Sequence, residues 1–331
     1  MKFLVALPLV VGVVSLAAAC SSSPPRTTFD DGTSEGGTVT EDGGTTTTDG
    51  ETKFEFDGNL PDAAVKDECK KMDVVFVVDD SGSMGGAQVK LRSNFPRMVD
   101  TLNAFKTKSG ADLDYRLAVT STDMDAANAT RFPSRTRSFA DGNRGGFVTA
   151  PFNSCDPGGA GRAWLERTDA NVANAFGCRA GLGTGGSVTE KPLDALVTSL
   201  GDRAADSNKD FLREDALLAF FILTDEEDSS SATAQTVIQK LDLLKKVRGR
   251  WAGALISGQK SGSCSTGSGS TLHSAVEAPK LHQLVQGAAD PATGKNNMIW
   301  RTICQENYDT AVKDALDTFT VACLNIPPLP K

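Results

Sequence analysis

Histidine occurs only twice in this 331-residue chain, at His273 and His282. No H-E-x-x-H or C-x-x-C stretch is present, and the G-x-S-x-G match at Gly32–Gly36 lies in a Ser/Thr/Gly/acid stretch with no strand predicted before it or helix after it. The usual patterns of zinc hydrolases, zinc ribbons and thioredoxin-like proteins are therefore missing. Both histidines fall in or beside a late helical segment and read as surface helix residues. A basic excess is lacking too, with 34 Lys and Arg against 42 Asp and Glu and a net charge of -8. Such a balance gives no electrostatic footprint for nucleic acid. No internal repeat is evident. The one long apolar run, FLVALPLVVGVVSLAAA within residues 1–19, is too short and wrongly flanked for a membrane span and reads as a secretory signal.

That signal ends at Cys20, followed by three serines. A run of small residues ending in Cys resembles a bacterial lipoprotein lipobox and implies acylation of Cys20. The Leu expected three residues before the Cys is one step early, at Leu16, with Ala17 in its place. Ordinary cleavage near the alanines is the alternative. Ser21 follows the Cys where Asp would favour inner-membrane retention, so the expected location is the cell envelope, at the outer membrane or cell surface. Residues 20–62 are Ser, Thr, Gly and acid, with ten acids against two bases. Little there can be buried, so a disordered tether is expected, with a reach of about 35 Å. It carries the chain's whole net charge and leaves residues 63–331 close to neutral, enough for one domain with a sizeable core.

Setting Cys20 aside leaves Cys69, Cys155, Cys178, Cys264, Cys304 and Cys323. An even number in an exported chain predicts three disulfides. Six cysteines allow about fifteen connectivities. Chain order prefers Cys69–Cys323 across the domain ends, since domain termini often lie close. It then suggests Cys155–Cys178 and Cys264–Cys304 as loop staples.

Apolar runs alternate with helical patterns. Strands are predicted at 73–79, 115–122, 146–150, 216–224, 250–257 and 297–303. Helices are predicted at 88–105 (bent near Pro96), 163–176, 191–200, 234–247, 274–288 and 307–319. This alternation predicts an α/β fold, doubly wound, with a mostly parallel sheet covered on both faces. The two most apolar strands run directly into Asp79 and Asp225. Ligands of such sheets bind beyond the carboxyl ends of the strands, where strand order reverses. Asp79, Ser81 and Ser83 sit at alternate positions after the first strand, with Gly82 between the serines. The cluster offers only hard oxygen donors, which suits Mg²⁺, or Mn²⁺ or Ca²⁺, better than zinc or copper.

Asp79-Asp80-Ser81-Gly82-Ser83 resembles the D-x-S-x-S of von Willebrand factor type A (vWA) domains, the metal-ion-dependent adhesion site. ILTDEED (222–228) is similar to the family's second-aspartate strand and supplies Asp225. GTGGSVTEKPL (183–193) offers Ser187 for the family's intervening hydroxyl, with Thr189 as the fallback. The wider pattern resembles lipoproteins of deltaproteobacteria and myxobacteria. The resemblance implies a binding module rather than an enzyme. Ser81 and Ser83 would be direct ligands, and Ser187 direct or through water. Asp79 and Asp225 would hold waters or bind directly, and a protein partner would supply an Asp or Glu. A metal-independent envelope scaffold and a metal-dependent hydrolase are the alternatives.

Lesser signals carry little. GLGTGG (181–186) lacks the preceding strand of a dinucleotide fingerprint. DSNKD (206–210) lacks the glycine and final acid of a calcium loop and reads as a solvated loop. Glu226, Glu227 and Asp228 read as a solvated acidic edge. The sequon at Asn128-Ala129-Thr130 would stay idle in a bacterial lipoprotein.

Overall fold

A computed structural model describes residues 68–125, 138–151, 154–269 and 272–330. The signal segment, Cys20, the tether and the Asn128 sequon lie outside them. Six strands form one sheet: β1 (Lys71–Val78), β2 (Asp114–Ser121), β3 (Leu165–Glu166), β4 (Leu217–Leu223), β5 (Trp251–Ser257) and, after the hairpin of β6 (Cys264–Thr266) and β7 (His273–Ala275), β8 (Met298–Thr302). Their spatial order is β3-β2-β1-β4-β5-β8. All pairs are parallel except β2 with β3, which is antiparallel. The chain builds outward from β1 to β2, then returns to add β4 on the other side. Strand order therefore reverses between β1 and β4.

Alternation along β1 explains why both faces are covered. Val74, Phe76 and Val78 belong to one core cluster, and Val75 and Val77 to the other. The first face packs under α1 (Gly85–Ala104), α2 (Val172–Ala180) and α6 (Asp309–Leu324), and the second under α3 (Pro192–Leu200), α4 (Ala234–Lys245) and α5 (Pro279–Gly287). On the first face Phe76 stacks on Phe221 at 4.6 Å and meets Phe176 edge-on at 4.8 Å. Such ring pairs add to plain burial. Pro192 and Pro279 sit at helix starts, where a missing amide hydrogen costs nothing. Pro96 lies inside α1. Gly253 on β5 has a packing reason, because a Cβ there would meet the Phe220 ring at 2.4 Å.

Three predicted elements differ. The segment predicted as helix 274–288 begins in β7 and is helical only from Pro279. Residues 146–150 form no strand, although Phe147 and Val148 are buried. Val148 N–H bonds the Val119 carbonyl at 2.8 Å, but Phe147 N–H goes to the Asn208 side chain at 2.9 Å. That anchoring also buries Asn208, which donates to the Gly145 and Ser199 carbonyls, so the 206–210 segment is tied down rather than fully solvated. The edge strand is β3 instead. It falls inside the segment predicted as helix 163–176, which becomes helical only at Val172. There Glu166 N–H bonds the Asp169 carboxylate at 2.8 Å, and Asn171 takes a left-handed φ of 53°, both favouring a turn.

The disulfides join Cys69 to Cys323, Cys155 to Cys178 and Cys264 to Cys304. The first links Cys69, two residues before β1, to α6 across 254 positions, with the Cα atoms 5.2 Å apart. The third ties the β6–β7 hairpin to the end of β8. Replacing Cys69 and Cys323 together by Ser is expected to lower unfolding free energy by roughly 2–5 kcal/mol, as measured by guanidinium denaturation. The secondary structure should remain intact by circular dichroism.

Candidate metal centre at the switch point

The β1 and β4 carboxyl ends bring Asp79 and Asp225 to one place. Asp79 N–H continues the sheet by bonding the Leu223 carbonyl at 2.9 Å. Asp79 is fully buried. Its Oδ1 accepts from Ser81 N–H at 2.8 Å, a local turn in which the side chain orders the loop behind it. Its Oδ2 accepts from the Thr224 hydroxyl at 2.7 Å. Gln88, in the first turn of α1, donates to the Asp79 carbonyl at 2.9 Å. The aspartate is thus fixed from β1, β4 and α1 together.

The serines follow as a chain of oxygens. Ser81 Oγ and Ser83 Oγ lie 2.9 Å apart, and Ser83 Oγ donates to Asp225 Oδ1 at 3.1 Å. Ser81 and Asp225 are buried, whereas Ser83 is exposed, so the cluster opens to solvent at Ser83. The second Asp225 oxygen is buried with no hydrogen-bond partner. Its nearest basic group is His273 Nδ1, at 3.9 Å. Val276 N–H, just past β7, bonds the Asp225 carbonyl at 2.9 Å. The hairpin stapled by Cys264–Cys304 therefore forms one wall of the site.

Ser187 is placed differently. Its hydroxyl donates to Asp125 Oδ2 at 2.6 Å, and Lys191 Nζ is 3.4 Å from the other Asp125 oxygen. Thr189 is exposed, and its N–H bonds Ser187 Oγ at 3.0 Å. The structure therefore links Asp79, Ser81, Ser83 and Asp225 by hydrogen bonds, whereas the Ser187 hydroxyl is engaged by Asp125 and Thr189 is exposed. What this loop brings inward is Glu190, which is 1% exposed. Its Oε2 accepts from Thr122 Oγ1 at 2.5 Å, and Thr122 N–H bonds the Val78 carbonyl at 3.2 Å, next to Asp79. Gly186 admits this loop closely: its N–H bonds the Asp80 carbonyl at 2.7 Å, and a Cβ there would meet the Asp80 carboxylate at 2.3 Å. Thr122, Thr224 and Glu190 were not singled out in the sequence. Glu190 lies two residues before the proline that begins α3, where an acid ordinarily reads as favouring the helix dipole.

Burial and the Asp79 carboxylate push Glu190 up to about 10 and Asp225 up to about 8. Burial raises Asp79 as well. Among the described residues, no Lys or Arg forms an ion pair with Asp79, Glu190 or Asp225. Nor do three acidic, histidine or cysteine side chains among them form a ready-made cage. The donor set is instead mixed, with hydroxyls between carboxylates and buried oxygens left over. It is uniformly hard and fits Mg²⁺, Mn²⁺ or Ca²⁺.

Neighbouring polar groups correct two expectations. His273 and His282 are buried at 2% and 8% exposure, not surface helix residues. His273 lies on β7 beside Asp225, and His282 on α5 packs against Trp300 with the ring centres 4.8 Å apart. The acidic edge is not simply solvated either. Asp228 is buried, pairs with Lys280 at 2.7 Å and accepts from Leu193 N–H at 3.3 Å. Glu227 accepts from Lys280 N–H at 2.9 Å. These acids cap α3 and α5.

No protein-family profile matches the chain, and no curated protein matches its sequence. Solved structures do resemble it. Proximal thread matrix protein 1 from the mussel byssus is 14% identical over 78% of this chain and 48% of its own, with a TM-score of 0.38. The pilus adhesin SpaC from Lactobacillus rhamnosus GG is 12% identical over 78% and 32%, at 0.39. Manganese-loaded Plasmodium vivax TRAP protein is 14% identical over 76% and 74%, at 0.37. The chain thus spans about half the length of the byssus protein and a third of the pilus adhesin. At these identities and scores none of them informs ligand or partner.

The folded-state value of Asp225 lies above its ordinary 3.8. Its contribution therefore favours folding at low pH and is lost as pH rises toward about 8. Between pH 5 and 8, metal-free wild type is expected to lose thermal stability relative to Asp225→Asn. Parallel Tm curves for the two proteins would contradict this. The groups facing Asp225 are Asp79, Glu226, Ser83, His273 and Tyr308, and because Asp225 and Asp79 repel, the comparison reads the ionisation of the pair.

Proposed function

We propose that this chain is a vWA-type binding module that uses a divalent cation, Mg²⁺ or alternatively Mn²⁺ or Ca²⁺, to capture an acidic side chain of a protein partner. The observation that carries this reading is the run of oxygens from Ser81 through Ser83 to Asp225, at 2.9 and 3.1 Å, open to solvent at Ser83. Beside it lies a buried Asp225 oxygen that no protein hydrogen bond satisfies. Ser81, Ser83 and Asp225 would hold the ion, and Asp79 would orient the loop through the Ser81 amide and Thr224. A bound ion would supply the positive charge that draws a carboxylate to the exposed side, where water or a partner completes the coordination. The role is binding, not turnover.

In this reading Cys20 carries lipid, the acidic 20–62 stretch is a tether, and residues 63–331 are displayed from the cell envelope. The three disulfides accord with an oxidising compartment.

Two experiments test it. Mg²⁺ or Mn²⁺ is expected to raise the Tm of wild type by several degrees. It should also allow retention of Asp/Glu-containing peptides that EDTA releases, with both effects lost in Asp79→Ala. Absence of any shift with Mg²⁺, Mn²⁺ or Ca²⁺ overturns the cation site. Separately, Cys20→Ala is expected to move the protein from the membrane fraction to the soluble envelope fraction. Unchanged fractionation would remove the lipid anchor.

A further inference from the structure

Glu190 is the buried acid that the serine–aspartate pattern leaves unexplained. Its backbone position is set by the frame around it. The Glu190 carbonyl accepts from Ser229 N–H at 2.8 Å, and the next amide, Lys191 N–H, bonds the Thr122 carbonyl at 3.1 Å. The side chain then points inward, with Oε2 held by Thr122 Oγ1 at 2.5 Å and Oε1 buried without a hydrogen-bond partner. Thr122 in turn is tied to the end of β1, its N–H on the Val78 carbonyl at 3.2 Å, so the Glu190 carboxyl is anchored one residue from Asp79. Carboxyl groups brought together away from water repel unless something positive lies between or beside them. Among the described residues no Lys or Arg ion pair supplies that charge. Meanwhile Ser187 is spent on Asp125, and Thr189 faces solvent.

We propose that Glu190, and not Ser187 or Thr189, is the third protein arm of the cation site, with Thr122 as its positioning residue. The inference rests on the reading that the Asp79–Ser83 loop and Asp225 hold a divalent ion. It changes the site's character. Three carboxylates, those of Asp79, Glu190 and Asp225, then face one divalent charge, so the loaded site stays net negative by one unit. With a hydroxyl as the third arm it would be neutral. The extra acid strengthens the hold on the ion and weakens its pull on an incoming carboxylate. An ion tolerant of a higher ligand number, Ca²⁺ or Mn²⁺, gains more from this than Mg²⁺.

The test is calorimetric titration of the purified chain with Ca²⁺, Mn²⁺ and Mg²⁺, alongside the metal-induced Tm shift, for wild type and single variants. Glu190→Gln keeps the shape and removes the charge. It is expected to weaken Ca²⁺ and Mn²⁺ at least tenfold and to keep a metal-free Tm at or above that of wild type, because a buried repulsion is relieved. Ser187→Ala and Thr189→Ala are expected to stay within about threefold of wild type. Thr122→Val should fall between, and Glu190→Asp should recover part of the loss. A Glu190→Gln protein that binds as wild type does, or a Ser187→Ala protein with the larger loss, overturns the assignment while leaving the cation site standing. Failure of wild type to bind any of the three ions removes the site itself, and this assignment with it.

Discussion

Carboxylates held out of water with no Lys or Arg ion pair among the described residues are the constraint on which the upper end of this molecule is built. Asp79, Glu190 and Asp225 are each at most 1% exposed. Ordinary folding would place Lys or Arg against such groups, as it does elsewhere here. Asp73, equally buried at the other end of β1, is met by Arg213 at 2.8 Å. The contrast within one strand is informative. At the amino end of β1 the charge is neutralised internally. At the carboxyl end no Lys or Arg ion pair does so among the described residues, and that is where the proposed cation would enter.

Maintaining that arrangement takes much of the surrounding structure. Thr224, Thr122 and the Ser81 amide each give a hydrogen bond to one of the acids. Gly186 lets the third loop approach until its amide meets the Asp80 carbonyl. The β6–β7 hairpin is a small two-stranded unit, too short to be stable alone. It is held against Asp225 by the Cys264–Cys304 bond and the Val276 amide. Each device fixes an oxygen in place before any ligand arrives, which reduces the ordering cost of binding.

The central strands were legible because complete burial leaves an unmistakable run: residues 74–78 of β1 and all of β4 are apolar, and an acid follows each, Asp79 at once and Asp225 after Thr224. The edge was less legible. Phe147 and Val148 are as buried as strand residues, yet the Asn208 side chain takes the amide that a ladder would have used. Composition cannot distinguish a buried strand from a buried loop whose amides find side-chain partners. The D-x-S-x-S cluster was readable because its members are close in sequence. Glu190 was not, since its meaning comes from Thr122 and Asp79, 68 and 111 positions away. The buried histidines were missed for the same reason: their environment is made by distant strands.

The covalent tie between Cys69 and Cys323 has a mechanical consequence. Tension applied between the two ends of the chain would pass directly from one half-cystine to the other. The chain between them, closed by a bond that spans a separation of 254 positions, holds the whole sheet and every residue of the carboxylate cluster, and lies off that load path. A pull that reaches the domain through these two cysteines would leave the carboxylate cluster in its folded shape.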